Sequence, residues 1–71
     1  MKFHPFNLRR RLIAQKYRKG DFQSVLSGAE KFLRKRPDDV PVLELKARAH
    51  TSLKNWEEGR KNYQKVVDLE P

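Results

Sequence analysis

Apolar residues recur at helical spacing along most of this 71-residue chain, in four segments separated by residues that end helices. The segment after Asp21 is the most regular, and Pro37 stops it. At about 100° per residue its apolar side chains fall within a sector of about 120°, which is one face of an amphipathic helix. These side chains are Phe22, Val25, Leu26, Ala29, Phe32 and Leu33. The pattern predicts a helix over about 22–36.

A shorter stripe precedes this helix, between Asn7 and Gly20. Asparagine is a common N-cap residue, and glycine ends helices because it adopts a left-handed backbone at no steric cost. We therefore expect a helix over about 8–19 that buries Leu8, Leu12 and Ile13. Residues 1–7 are expected to form a flexible leader.

Two further stripes follow Pro37. Asp39 is placed to cap a third helix, with Pro41 tolerated in its first turn. Asn55 is placed to cap a fourth helix, and Glu58 stands three residues later, where it would complete a capping box. The apolar positions are Leu43, Leu45, Ala47, Ala49 and Leu53 on the third helix, and Trp56, Gly59, Tyr63, Val66 and Val67 on the fourth.

The second and fourth segments are two copies of one unit, offset by 34 residues. Phe22 matches Trp56, Ala29 matches Tyr63, Phe32 matches Val66, Leu33 matches Val67 and Pro37 matches Pro71. We therefore expect an all-α fold of four helices. Residues 8–37 would form a first helical hairpin and residues 38–71 a second.

This spacing resembles that of the tetratricopeptide repeat (TPR) family, whose unit of about 34 residues is a pair of helices. The second copy carries more of the family pattern, in Leu43, Ala47, Trp56, Gly59, Tyr63, Val66 and Pro71. The first copy is degenerate, because Ile13 and Val25 stand where the family places small residues. The resemblance implies two antiparallel helical hairpins stacked as a right-handed TPR-like solenoid fragment.

The net charge of +8 lies entirely in the first half of the chain. Residues 1–36 contain 11 Lys and Arg against 2 acids, a net charge of +9, whereas residues 37–71 contain 6 against 7, a net charge of −1. A one-sided basic surface attracts nucleic acid, anionic lipid or an acidic protein. The basic segments 9–11 and 34–36 keep nucleic-acid or other polyanion binding open as an alternative, although no nucleic-acid-binding module matches this sequence.

Residue types for catalysis or metal binding are sparse. The chain has no cysteine, which removes disulfides and thiolate chemistry. His4 and His50 have no second ligand at metal-binding spacing. The acidic pairs at 38–39 and 57–58 stand at predicted helix starts, where capping and the helix dipole account for them. We expect no enzymatic activity, no cofactor and no metal.

Targeting signals are also absent from the sequence pattern. No apolar run reaches the roughly 18 residues of a membrane span, and the first 20 residues lack the apolar core of a secretory signal. We expect a cytoplasmic protein. The start of the chain is basic and free of acids through Gly20, so a mitochondrial transit peptide stays open as an alternative.

The resemblance implies a protein-interaction module, because stacked hairpins present a concave groove that the first helix of each unit lines. On helix geometry we expect the groove to be net positive and to hold an acidic or mixed peptide or protein partner. The predicted partner-binding residues are Arg10, Tyr17 and Arg18 on the first helix and Glu44, Arg48 and Thr51 on the third. In the alternative, these arginines are only solvated or paired to Glu44.

The fourth helix has no later helix to cover its apolar face of Trp56, Tyr63 and Val67. Helical repeats usually need about three units to close a stack. We therefore expect the chain to be the N-terminal part of a larger protein, or to self-associate through this helix.

Overall fold

The computed structural model describes residues 5–70, which form four α-helices and no strand. The helices are α1 (Pro5–Arg18), α2 (Phe22–Lys35), α3 (Val40–Ser52) and α4 (Trp56–Leu69). The all-α prediction is confirmed. Both ends of α4 lie 34 positions after the ends of α2, which is the offset of the sequence repeat.

Helix α1 begins earlier than predicted. Its first residue is Pro5, so the expected start at Leu8 with Asn7 as the N-cap is wrong. Proline fits the first turn of a helix, because the N–H that it lacks would have no intrahelical acceptor there. Asn7 lies inside this first turn and its Oδ1 accepts a hydrogen bond of 2.6 Å from Arg10 Nη1. Residues 5–7 of the expected leader are thus helical, and residues 1–4 lie outside the described range.

Carboxylates cap α2 and α3 as predicted. Asp21 Oδ1 accepts from the Ser24 backbone N–H at 3.3 Å, and its Oδ2 accepts from Ser24 Oγ at 2.7 Å. These hydrogen bonds from Ser24 lower the pKa of Asp21 below its ordinary value. At the start of α3, Asp39 Oδ1 accepts from the Val42 N–H at 3.1 Å. Gly20 has the predicted left-handed backbone, with φ of +77°.

The start of α4 differs from the predicted capping box. Asn55 occupies the N-cap position without a side-chain cap hydrogen bond, and its Nδ2 lies 3.3 Å from His50 Nδ1. Its backbone N–H donates to the His50 carbonyl at 2.8 Å, so this N–H already has the partner that Glu58 would supply in a capping box. Glu58 instead lies 3.7 Å from Lys61 Nζ.

The core lies where α1, α2 and α3 meet. Helix α1 packs on α2, α2 on α3, and α3 on α4, and α1 also packs directly on α3. The buried apolar residues of this cluster are Ile13, Val25, Ala29, Phe32, Val42 and Ala49. Phe6 adds an edge-to-face contact with Phe32, at 5.7 Å between ring centroids. Because α3 touches the other three helices, it is the central element of the fold.

Apolar surface is exposed on both outer helices. On α1 this differs from the predicted burial of Leu8 and Leu12, and on α4 it agrees with the expectation that no later helix covers the apolar face. On α1, Ile13 is buried as expected, but Leu8 and Leu12 remain 42% and 50% exposed. On α4, Trp56 and Val67 remain 64% and 60% exposed and Tyr63 40%. The reason is the same at both ends of the structure: within residues 5–70, α1 and α4 are the outer helices, and no helix packs on their far sides.

Candidate partner-binding surface

Arg10 joins α1 to the start of α3. Its Nε and Nη2 donate to Asp39 Oδ2 at 2.8 and 2.6 Å, and its guanidinium carbon lies 5.6 Å from the centroid of the Phe32 ring. The hydrogen bonds to Asp39 raise the pKa of Arg10. The Asp39 side chain is only 3% exposed and that of Arg10 is 26% exposed. The Arg10 guanidinium is therefore already engaged within the fold.

Asp39 serves three groups at once. Oδ1 caps α3, Oδ2 accepts from Arg10, and Arg36 Nε lies 3.9 Å from the same Oδ2. Sequence reasoning assigned Asp39 only the cap, because the cap is local whereas Arg10 is 29 positions away. A buried carboxylate needs a cationic or hydrogen-bonding partner, and arginine forms such pairs well, so burial of Asp39 would have indicated an arginine partner.

Tyr17 packs at the margin of the core. Its ring centroid is 5.6 Å from that of Phe22, at an interplanar angle of 60°, and its side chain is half-buried. It stands one residue before the end of α1, where it covers the turn into α2. Part of the aromatic surface that we predicted for a partner is thus used inside the first hairpin.

Arg18 and Arg11 present an exposed cationic edge on α1. They are seven residues apart, so they lie about 20° from each other around the helix, on the side roughly opposite Ile13. Among residues 5–70, neither forms an ion pair with an acid. Arg18 was predicted as a site residue; Arg11 was not, although its heptad spacing from Arg18 would have indicated it.

Glu44 and Arg48 lie on a face of α3 that differs from its core face. Val42 and Ala49 join the core cluster, and Ala47 faces α4. Glu44 Oε2 and Arg48 Nη2 are 4.0 Å apart, with side chains 41% and 53% exposed. An exposed pair at this distance contributes little, so a partner could displace it at small cost.

Thr51 lies close to Glu44 around α3 but contacts α4. Its Oγ1 donates a hydrogen bond to the Ala47 carbonyl at 2.9 Å. A Cβ built at Gly59 would lie only 2.6 Å from Thr51 Oγ1. Thr51 therefore stands in the seam between α3 and α4. The expectation that it faces away from its partner helix is wrong, because Thr51 lies one turn after Ala47, where Gly59 of α4 comes close to both residues.

The predicted residues thus separate into three environments. Arg10 and Tyr17 support the fold around α1, Thr51 lies in the α3–α4 seam, and Arg18, Glu44 and Arg48 remain at the surface. Helix α1 packs directly on α3, and Arg11, Arg18 and Arg48 are exposed on these two helices. We define the basic face as Arg11, Arg18 and Arg48 on these two helices.

No protein-family model, curated protein or solved structure matches this chain. The resemblance to tetratricopeptide repeats therefore stays a prediction that rests on the residues named above. None of the helices in the described range combines the length and hydropathy needed to cross a bilayer. Between positions 5 and 70, no three His, Cys, Asp or Glu side chains are grouped as metal ligands.

Proposed function

We propose that the chain is a TPR-type protein-interaction module, with its two hairpins stacked in a right-handed sense, that binds an acidic segment of another protein. The recurrence of the α2 boundaries in α4 supports two units of one repeat. The direct packing of α1 on α3 supports the proposal further, because first helices of successive units line the groove in such stacks. The cytoplasm is the location that we propose.

The single observation that carries the proposed ligand is the basic face. Arg11 and Arg18 are exposed and have no acidic partner within residues 5–70, and Arg48 has only its weak pair with Glu44. Unpaired arginines bind carboxylates through charge-assisted hydrogen bonds, often through two nitrogens at once. An acidic segment would supply the counter-charges that the described part of the chain does not.

A fluorescence-anisotropy titration with a labelled acidic peptide of about ten Glu, Asp and Ser residues tests this proposal. Arg18→Gln is expected to weaken binding by about threefold to fivefold, as for loss of one exposed charge contact. Arg34→Gln removes the same charge from an exposed position near the end of α2 and is the matched control. Equal losses in both variants would show that the peptide responds only to net charge, and would contradict a defined basic face.

Polyanion binding is the second candidate, and one observation favours it. Helix α1 contains five Lys and Arg residues and no acid, so its potential is uniformly positive. If a duplex oligonucleotide is the ligand, the logarithm of its binding constant should fall by about 0.9 per neutralised phosphate for each tenfold rise in salt. Tighter binding of the duplex than of the acidic peptide at physiological salt would favour this candidate.

The uncovered face of α4 supports a further part of the proposal, self-association. Trp56, Tyr63 and Val67 form an exposed apolar strip whose burial in a second copy would be favourable. Sedimentation at increasing concentration measures it directly, and a strictly monomeric species would contradict it.

A further inference from the structure

A cleft of about 320 Å³ lies along the joint between α1 and α2. Its lining residues are Arg9, Leu12 and Ile13 from α1 and Gly28, Lys31 and Phe32 from α2. Leu12 is the main exposed apolar wall, since half of its surface is accessible, while Ile13 and Phe32 belong to the core behind it. The cleft is large enough to receive one bulky apolar side chain.

Two cations stand on opposite walls of this cleft, Arg9 on α1 and Lys31 on α2. Within residues 5–70 neither forms an ion pair, whereas Arg10, Arg36 and four other cations do. Glu30 is the neighbour of Lys31 in sequence, but it points about 100° away around α2. The cleft therefore combines an apolar wall with positive charge that the described chain leaves uncompensated.

We propose that this cleft is a binding site for an amphipathic acidic segment of a partner protein. A bulky apolar side chain of that segment would enter between Leu12 and Gly28, and carboxylates on either side of it would pair with Arg9 and Lys31. This is helix-in-groove or extended-segment recognition, in which apolar anchors fill a pocket and rim charges select the partner.

Two other occupants fit the cleft less well. Bases of nucleic acid bind on exposed aromatic faces, but the Phe32 ring in this cleft is 1% exposed. A second copy could offer Trp56, flanked by Glu57 and Glu58, but those carboxylates already pair with Arg60 and Lys61.

The site is separate from the basic face of the proposed function. Arg9 and Arg18 are nine residues apart on α1, so they lie about 180° from each other around the helix. Both are exposed, and each serves as the matched control for the other site. Failure of the cleft proposal can therefore be told apart from failure of the basic-face proposal.

A titration of the full chain with synthetic helical peptides of about 12 residues tests the cleft. The probe carries leucines on one face and glutamates elsewhere; a matched peptide replaces the leucines with glutamine. The leucine peptide is expected to bind at least about tenfold more tightly than its glutamine analogue. The double variant Arg9→Gln/Lys31→Gln is expected to weaken the leucine peptide by about tenfold, and Leu12→Gln by a similar factor.

The control Arg18→Gln can weaken both peptides through their glutamates, but it should leave the ratio of their affinities unchanged within about twofold. Circular dichroism and thermal melting of each variant verify the fold, and the comparison of the two peptides needs no protein variant. Equal binding of the two peptides, or a loss of the leucine preference in Arg18→Gln as large as that in Leu12→Gln, would overturn the proposal. It would also be overturned if a duplex oligonucleotide displaced the peptide in an Arg9-dependent way, or if the chain sedimented as a dimer that Leu12→Gln dissociates.

Discussion

The two hairpins follow one 34-residue plan but use different side chains to bring their helices together. In the second hairpin, small residues form the seam: Ala47 and Thr51 of α3 face Gly59 of α4, with no space for a Cβ at that glycine. In the first hairpin, Ile13 and aromatic pairs pack between α1 and α2. The Tyr17 and Phe22 rings lie 5.6 Å apart, centroid to centroid.

The two seams leave different amounts of space between their paired helices. A seam of small residues lets two helices approach closely along their length. Bulky side chains in a seam keep the two helices apart and leave gaps next to them. The cleft beside Leu12 and Gly28 is such a gap. The cleft of the first hairpin thus lies beside Ile13, whose counterpart 34 positions later in the second hairpin is the small Ala47.

Within residues 5–70, the joint between the hairpins contains the one buried carboxylate, that of Asp39, and the largest predicted effect lies there. Replacing Asp39 by Ala removes the α3 cap and leaves Arg10 without its main partner. We expect the free energy of unfolding to fall by about 2–4 kcal/mol, which is a large share of the roughly 4–11 kcal/mol typical for a chain of this size. Urea unfolding at neutral pH measures it.

Asp38→Ala is the matched control for this change. The Asp38 side chain is 69% exposed and its one ion pair is with Lys65, at 3.8 Å. Its replacement should cost less than about 1 kcal/mol. If Asp38→Ala were as destabilising as Asp39→Ala, the network at Asp39 would not be what joins the hairpins.

The contrast between the two seams predicts unequal responses to an added methyl group. Gly59→Ala should destabilise the chain by about 1 kcal/mol, because overpacking against Thr51 Oγ1 exceeds the gain in helix propensity. In a Thr51→Ala background the clash disappears, and the same change should stabilise by about 0.5–1 kcal/mol. A double-mutant cycle of urea midpoints measures this coupling.

Gly28→Ala gives the comparison in the first hairpin. A Cβ there would lie 3.2 Å from Ile13 Cγ1, a contact that a shift of a few tenths of an ångström relieves. We expect a change in unfolding free energy within about 0.5 kcal/mol of zero. A loss at Gly28 as large as that at Gly59 would show that the two seams are equally tight.

Local features of this fold could be read from the sequence, and features that depend on distant neighbours could not. The caps at Asp21 and Asp39 were predictable because donor and acceptor are three residues apart. The Arg10–Asp39 pair spans 29 positions and has no local signature. The exposure of Leu12 depends on which helices surround α1, and a periodic stripe does not contain that information.

The candidate site shows the same limit on helix α3. This helix packs against α1 and α2 on one side and α4 on another, so apolar or small residues occupy most of its circumference. The apolar pattern therefore does not mark one outward face, and Thr51 was assigned to the wrong one. Arg18 and Arg48 were placed correctly at the surface because no helix packs over them in the described range.

The two turns inside the hairpins have the same left-handed backbone at different residues, and exchanging those residues is predicted to have a small effect. Gly20 and Lys54 are 34 positions apart and both have positive φ, +77° and +65°. A left-handed backbone costs a residue with a Cβ about 1 kcal/mol and costs glycine nothing. Lys54→Gly should therefore stabilise the chain by about 0.5–1 kcal/mol, measured by thermal melting and urea unfolding.

Two variants separate backbone conformation from charge in this last prediction. Lys54→Ala removes the same charge near the end of α3 but keeps a Cβ, so it should give no stabilisation. Gly20→Ala should destabilise by about 1 kcal/mol through the backbone alone, because no atom lies within 4 Å of a Cβ at that position. If Lys54→Ala stabilises as much as Lys54→Gly, charge and not the left-handed backbone governs the second turn, and the two turns are not equivalent.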